Sequence, residues 1–233
     1  MKLFVVSDVH SFFTGMKNAL DEAGFDPQNP EHLFVGCGDY FDRGNESQQM
    51  LDYLLELPNK VLIRGNHEDL MESMLGRGLP FGHDLSNGTA KTAHDLAPNI
   101  SDWQVICSVV YYKLKPLYDI MVNYFETEHY IFCHSWIPSS QDWKYANCQK
   151  WNKARWGNPF AIAKNKGNKT GKTLVHGHFH NSYYWSRKNG TSEFEDDACF
   201  DICEHDGCIG LDACTAFSHR VNVLVIEDEG LDS

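Results

Sequence analysis

Short apolar runs alternate with amphipathic stretches through the first third of the chain. Residues 3–7 (LFVVS) are apolar and β-branched, the signature of a buried strand. Over 12–23, Phe13, Met16, Ala19, Leu20 and Ala23 recur at helical spacing, and Gly24 supplies a stop. A second strand is predicted at 32–36 and a second helix at 45–57, carried by Met50, Leu51, Leu54 and Leu55 and closed by Pro58. A third strand follows at 60–64, and a third helix at 68–75 before Gly76 and Gly78. Three strand–helix units in succession predict parallel strands joined by right-handed crossovers. In such sheets, sites form beyond the carboxyl ends of the strands.

The periodicity weakens over 78–99. Residues 100–115 read as a helix around Trp103, Val105, Ile106 and Val109, although the VVYY tetrad also suits a strand. The segment 76–118 is therefore expected to be an insertion over the site. Residues 119–135 predict two strands with a turn near Thr127-Glu128, ending at His134. Mixed polar and aromatic residues over 141–156 fit either a helix or an irregular loop. The Gly/Lys-rich run 164–172 is expected to be mobile, and short strands are expected at 173–178, 198–204, 208–213 and 221–228. Both halves fit a single domain over 1–233 with two sheets packed face to face and helices outside.

A net charge of -12 argues against extended nucleic-acid binding, which needs excess Lys and Arg to meet phosphates. It does not exclude phosphorylated ligands, because bound cations reverse the local charge. No run of 18 apolar residues offers a membrane span, and Met1-Lys2 leads directly into the first strand, so a cytoplasmic protein without a leader is expected. Cys37 and Cys133 lie within strands. Cys199, Cys203, Cys208 and Cys214, near His205 and His219, lack the paired spacing of zinc sites and are expected to be free thiols.

Polar residues at the strand ends change the picture. Asp8 and His10 would share a side if the chain stays extended, and a carboxylate with an imidazole suits Zn, Fe or Mn. Equally, Asp8 can cap the following helix with His10 on the surface. Asp39, Asp42 and Arg43 lie between Gly38 and Gly44, where Arg43 can fork onto a phosphoryl group. Asn66 offers a neutral oxygen ligand, and His67 can act as a general acid if a carboxylate such as Asp42 raises its pKa. His134 ends a strand. His176, His178 and His180 alternate, so they share a side if extended, although a turn at Gly177 would separate them.

In order, Asp8-Val9-His10, Gly38-Asp39-Tyr40-Phe41-Asp42-Arg43-Gly44, Gly65-Asn66-His67-Glu68, His134 and Gly177-His178 match the blocks of the calcineurin-like metallophosphoesterases. The chain resembles the phosphoprotein phosphatase branch, and its length resembles the bacterial and bacteriophage serine/threonine phosphatases. The likeness runs over about residues 1–227 and is weak over 76–119. It implies the metallophosphoesterase fold: α/β, two mixed β-sheets packed as a sandwich and flanked by helices. It also implies two divalent cations, with Mn favoured and Fe or Zn fitting. One would be held by Asp8, His10 and bridging Asp39, the other by Asp39, Asn66, His134 and His178.

By the same resemblance a hydroxide bridging the cations attacks phosphorus, His67 is the acid oriented by Asp42, and Arg43 and Arg155 bind phosphate. Asp212 would orient a ligand histidine or an arginine. His180 would join the first metal if the chain follows the broader Gly-His-x-His pattern. The chain departs from the family at His134-Ser135-Trp136 and at Leu211-Asp212-Ala213-Cys214, which lack the expected glycines. The implied activity is a serine/threonine-type phosphoprotein phosphatase acting on a phosphorylated protein or a small phosphorylated substrate. A symmetrical dinucleoside tetraphosphate hydrolase is the alternative, with Tyr111, Tyr112, Trp136 and Trp151 either stacking bases or packing. A metal-dependent binding protein without catalysis is a third.

Overall fold

The computed structural model describes residues 1–139 and 142–227. The predicted segment starting at Gln141 and the last strand ending at Asp228 each include one residue outside that range. The first strand–helix units are β1 (Lys2–Val6), α1 (Phe13–Glu22), β2 (His32–Gly36), α2 (Ser47–Glu56), β3 (Lys60–Leu62) and α3 (Asn66–Arg77). Next come α4 (Gly82–Asn87), α5 (Thr89–Leu96) and α6 (Trp103–Tyr118), then β4 (Tyr124–Glu126) and β5 (Tyr130–Cys133). Helices α7 (Cys148–Arg155) and α8 (Pro159–Lys166) precede β6 (Thr173–His176) and α9 (Asn181–Asn189). The described chain closes with β7 (Cys203–His205), β8 (Cys208–Gly210), α10 (Thr215–Ser218) and β9 (Leu224–Glu227).

Two mixed sheets result. In the first, β3-β2-β1 are parallel and β9 runs antiparallel beside β1. In the second, ordered β4-β5-β6-β8-β7, the outer strands run antiparallel to a parallel centre. Alternation along β1 explains the layering. Leu3 and Val5 face the second sheet and pack with Phe132, Val175 and Ile226, while Phe4 and Val6 face the helices and meet Met16, Leu20 and Met50. Each such burial contributes about 1.5–3 kcal/mol. On the outer face of the second sheet, Leu174 and Cys208 pack against Ala163 of α8. The fold is α/β, with two mixed sheets flanked by helices.

Several elements differ from expectation. The weakly patterned stretch holds α4 and α5, because Thr89 and Thr92 occupy the buried face of α5 beside Ala90, Ala93 and Leu96 and hide its apolar period. VVYY is helical, inside α6. The run expected to be mobile begins within α8, whose first turn is capped by the Asn158 side chain accepting from Ala161. Beyond it, the Asn168 amide donates to the carbonyls of Lys172 and Gly207, fastening the loop to the turn between β7 and β8. Only the end of 198–204 is strand. All eight cysteines are free, and burial pushes the Cys203 and Cys208 thiols up to about 12.

Candidate metal centre

The polar punctuation converges where the strands end. β1 leads to Asp8 and His10, β2 to Asp39, and β3 to Asn66 and His67 at the start of α3. β5 leads to His134 and β6 to His178, so both sheets contribute. The convergence does not come from extended backbone. Asp8, His10, Asp39, Asp42, Arg43 and His178 all have positive φ, from 47° to 73°. Such conformations cost about 1–3 kcal/mol each and persist only where the surroundings impose them. Here the β1 loop is laced to the β2 loop: the N–H groups of Asp8, His10 and Ser11 donate to the carbonyls of Gly38, Asp39 and Tyr40. Asp8 and His10 therefore meet the site through a tight turn rather than through period-two alternation.

Glu68 fixes the next two loops to each other. Its carboxylate accepts the backbone N–H of Asp39 (2.9 Å), Tyr40 (3.0 Å) and Gly65 (2.8 Å). A Cβ on Gly65 would lie 2.1 Å from Asp39 Oδ1, and one on Gly177 would lie 2.0 Å from Asp8 Oδ2, so both loops approach too closely for any side chain.

Asp39 is the centre of the arrangement. Its Oδ1 lies 3.5 Å from His134 Nε2, and its Oδ2 lies 3.9 Å from both His10 Nε2 and His67 Nε2. Two ligand groups result, Asp39-His134-His178 and His10-Asp39-His67, with the ligand atoms of each within 4.8 Å of one another. Burial opposes charge on Asp39, but His134, His67 and His10 outweigh it and hold the carboxyl well below its ordinary range. Asp8 accepts from Ser7 Oγ (2.5 Å) and from the His178 N–H (2.8 Å). Burial and the charges of Asp212 and Asp39 push it up.

These donors fit cations. His134 Nδ1 donates to the Cys37 carbonyl (2.8 Å) and His10 Nδ1 to the Phe41 carbonyl (2.9 Å), which leaves Nε2 of each ring as a lone pair facing inward. His134 Nε2 then lies 2.7 Å from Asn66 Oδ1, two electron-rich atoms aimed at one space. Burial lowers the pKa of His10 and His134, and brings His178 down to about 3, keeping all three in the neutral ligand form. The buried carboxylates Asp8, Asp39 and Asp212 crowd one another, a cost that cations would relieve.

His67 Nδ1 donates to Asp42 Oδ2 (2.7 Å), and its Nε2 lies 3.3 Å from Arg43 Nη2. Burial pulls the His67 pKa down, but the charges of Asp39 and Asp42 and the bond to Asp42 raise it overall. Arg43 is exposed beside this pair. Arg155 is buried, and Asp69 grips it through Nε (2.7 Å) and Nη2 (3.0 Å) while Asn123 takes Nη1 (2.9 Å). One N–H on each terminal nitrogen remains, and its charge presses on His134. Asp212 Oδ1 accepts from the Cys214 N–H (2.7 Å), so the loop lacking the family glycine is held by its own aspartate. Ser135, in the other departing loop, donates to the Gly157 carbonyl (2.6 Å).

The alternating histidines separate. His176 is buried against His205, and a turn closed by Phe179 N–H to Gly177 O (2.8 Å) swings the chain before His180. His180 Nδ1 faces Ser182 Oγ (2.9 Å) and its Nε2 faces Glu193 at 3.7 Å, apart from both ligand groups. Trp151 packs inside, stacked on Tyr124, while Tyr111 and Tyr112 are exposed on α6. Thr89 and Thr92 had no sequence signal. Thr89 Oγ1 donates to Asp42 Oδ2 (2.7 Å), and the Asp42 N–H donates to Thr92 Oγ1 (3.0 Å), so α5 clamps the partner of His67.

A family model described as calcineurin-like phosphoesterase matches residues 1–214. The chain belongs to the calcineurin-like phosphoesterases. In this family context, the groups sharing Asp39 form a candidate two-metal centre for phosphoester hydrolysis. Over 68 residues the chain is 40% identical to serine/threonine-protein phosphatase 1 of Salmonella typhimurium, a match covering 29% of this chain and 30% of that protein. Less than a third of that relative's length is thus spanned. Among solved structures, a candidate diadenosine tetraphosphatase superposes with a TM-score of 0.59 at 15% identity, covering 97% of this chain and 89% of that one. The cold-active protein-tyrosine phosphatase of a psychrophilic Shewanella gives 0.58 at 14% identity, covering 97% and 75%. These last two likenesses concern the fold.

Proposed function

We propose that this phosphoesterase is a two-metal phosphomonoesterase acting on phosphoserine and phosphothreonine in proteins. We read it as one domain over residues 1–233, with 76–118 as a substrate-side elaboration, working in the cytoplasm. The carrying observation is that the two oxygens of Asp39 face different ligand groups while His67, Asp42 and Arg43 stand beside them. The proposed ligands are Asp8, His10 and Asp39 on one side and Asp39, Asn66, His134 and His178 on the other. His180, bonded to Ser182, would need to rotate to join them. The carboxylate, amide and imidazole set suits Mn, and Fe or Zn fit as well. When bound, the cations supply Lewis acidity and lower the pKa of water.

The chain's own groups do the rest. Arg43, exposed and next to His67, binds the phosphoryl oxygens, and the free N–H groups of Arg155 supplement it. His67 carries its proton at Nε2 to the departing serine or threonine oxygen, while Asp42 holds Nδ1. The substrate class draws support from the 40% identical stretch. Among the described residues no helix is long and apolar enough to cross a membrane.

A product-resolved assay with a phosphothreonine peptide and diadenosine tetraphosphate, across Mn, Zn and Fe, tests this reading. Release of inorganic phosphate from the peptide is expected to dominate. Preferred splitting of the tetraphosphate into two equal halves would replace the substrate class, and inactivity with every metal would leave a binding protein.

Thr89→Val removes the hydroxyl that shares Asp42 with His67 and keeps a similar volume. Losing one buried bond to a charged group costs about 1.5–3 kcal/mol. On a phosphothreonine peptide, kcat is therefore expected to fall by roughly tenfold or more, with metal content unchanged. Wild-type turnover would show that Asp42 needs no such clamp.

A further inference from the structure

A second cavity, of about 450 Å³, lies away from the metal centre between α8, α9 and the β7–β8 turn. Its size is that of a small-molecule site. Phe160, Tyr183 and Tyr184 line it, with Phe160 nearly parallel to Tyr184 at 5.7 Å. Lys164 and Lys188 also line it, and neither forms an ion pair among the described residues. The third base at the cavity, Arg187, is paired with Glu193 (2.8 Å). Lys188 Nζ lies over the Tyr184 ring (5.2 Å) and Arg187 over the Tyr183 ring (3.4 Å), so on a chain of net charge -12 cations and aromatic rings together mark a place for an aromatic anion.

His205 adds the second half of the recognition. Its side chain is only 2% exposed, and its Nδ1 has no hydrogen-bond partner. The hydrogen-bond order fixes what that atom offers. His176 Nδ1 donates to the Gly177 carbonyl (3.1 Å), so His176 Nε2 accepts and His205 Nε2 donates to it (2.8 Å). His205 Nδ1 is left as a buried acceptor without a partner, on a residue that lines the cavity. The Asp206 carboxylate, 3.9 Å away, is a second acceptor. A ligand that satisfies the wall thus brings N–H donors, a flat ring and negative charge. We infer that this cavity binds a purine nucleotide, with the base donating to His205 Nδ1 and Asp206, its ring against Tyr183 and Tyr184, and its phosphates on Lys164 and Lys188.

The test uses the metal-loaded full chain and α,β-methylene-ADP, whose phosphorus–carbon bridge resists hydrolysis. Calorimetric titration is expected to show saturable micromolar binding, weakened about tenfold or more by Lys164→Glu, a charge reversal at an exposed position. Photolabelling with 8-azido-ADP, followed by peptide mass spectrometry, is expected to place the adduct within 159–189 or 203–208. Absence of saturable binding, equal affinity in Lys164→Glu, or an adduct on the loops bearing Asp39 or His134 would each overturn the assignment.

Discussion

Asp39→Asn is expected to deprive the protein of both cations and of nearly all phosphoesterase turnover. The carboxylate is buried, and its oxygens are divided between two ligand groups, Oδ1 toward His134 and Oδ2 toward His10 and His67. An amide of the same shape offers one oxygen and one NH2. Whichever way it turns, an N–H points at one group of inward-facing lone pairs and defeats that site. The Lewis-acid contribution of a bound cation amounts to several kcal/mol, so kcat/KM should fall by roughly a thousandfold or more. Metal content by elemental analysis, with circular dichroism to check folding, reads the outcome. Two tightly held cations per variant chain would mean that Asp39 does not bridge.

His67→Asn is expected to have the next largest effect, and one that depends on the leaving group. An alkoxide must be protonated as it departs, which positioned acids accelerate by about 10²–10⁴-fold. Hydrolysis of a phosphothreonine peptide should therefore drop within that range, whereas p-nitrophenyl phosphate, whose phenolate leaves without a proton, should lose far less. The contrast matters because His67 Nε2 also falls within one of the ligand groups. Equal loss on both substrates, together with lost metal, would make His67 a ligand instead.

The pH profile gives an independent reading. Burial alone would lower the His67 pKa, but Asp39 and the bond to Asp42 raise it above the ordinary 6.5. An acid works below its pKa, so the alkaline limb of kcat/KM should lie above that value. Asp42→Asn, which removes the raising charge, should move the limb to lower pH.

The parts legible in the sequence were those written in residue types with one meaning. β1 to α3 read correctly because apolar runs, helical periods and Gly or Pro stops agreed with one another. Asp39 and His134 stood out as polar residues closing apolar strands. What stayed hidden depended on backbone turns and on polar groups buried for a purpose. α5 escaped because Thr89 and Thr92, turned inward to hold Asp42, look like surface positions. α9 escaped because Tyr183, Tyr184 and Trp185 are consecutive rather than periodic. Of the two readings of His176, His178 and His180, strict alternation or a turn at Gly177, the structure has the turn, closed from Phe179 to Gly177, and the three rings have different surroundings.

The division of the proposed ligands between two sheets has a mechanical consequence. Asp8, His10, Asp39 and Asn66 hang from one sheet and His134 and His178 from the other. Any ion gripping members of both sets is a rivet through the sandwich. Unfolding would have to release it, so at a free metal concentration of about a thousand times Kd the native state gains about 4 kcal/mol. Chelation should therefore lower the melting temperature as well as silence the enzyme. The left-handed turns that aim the ligands would then be strain that the ion itself helps to hold in place.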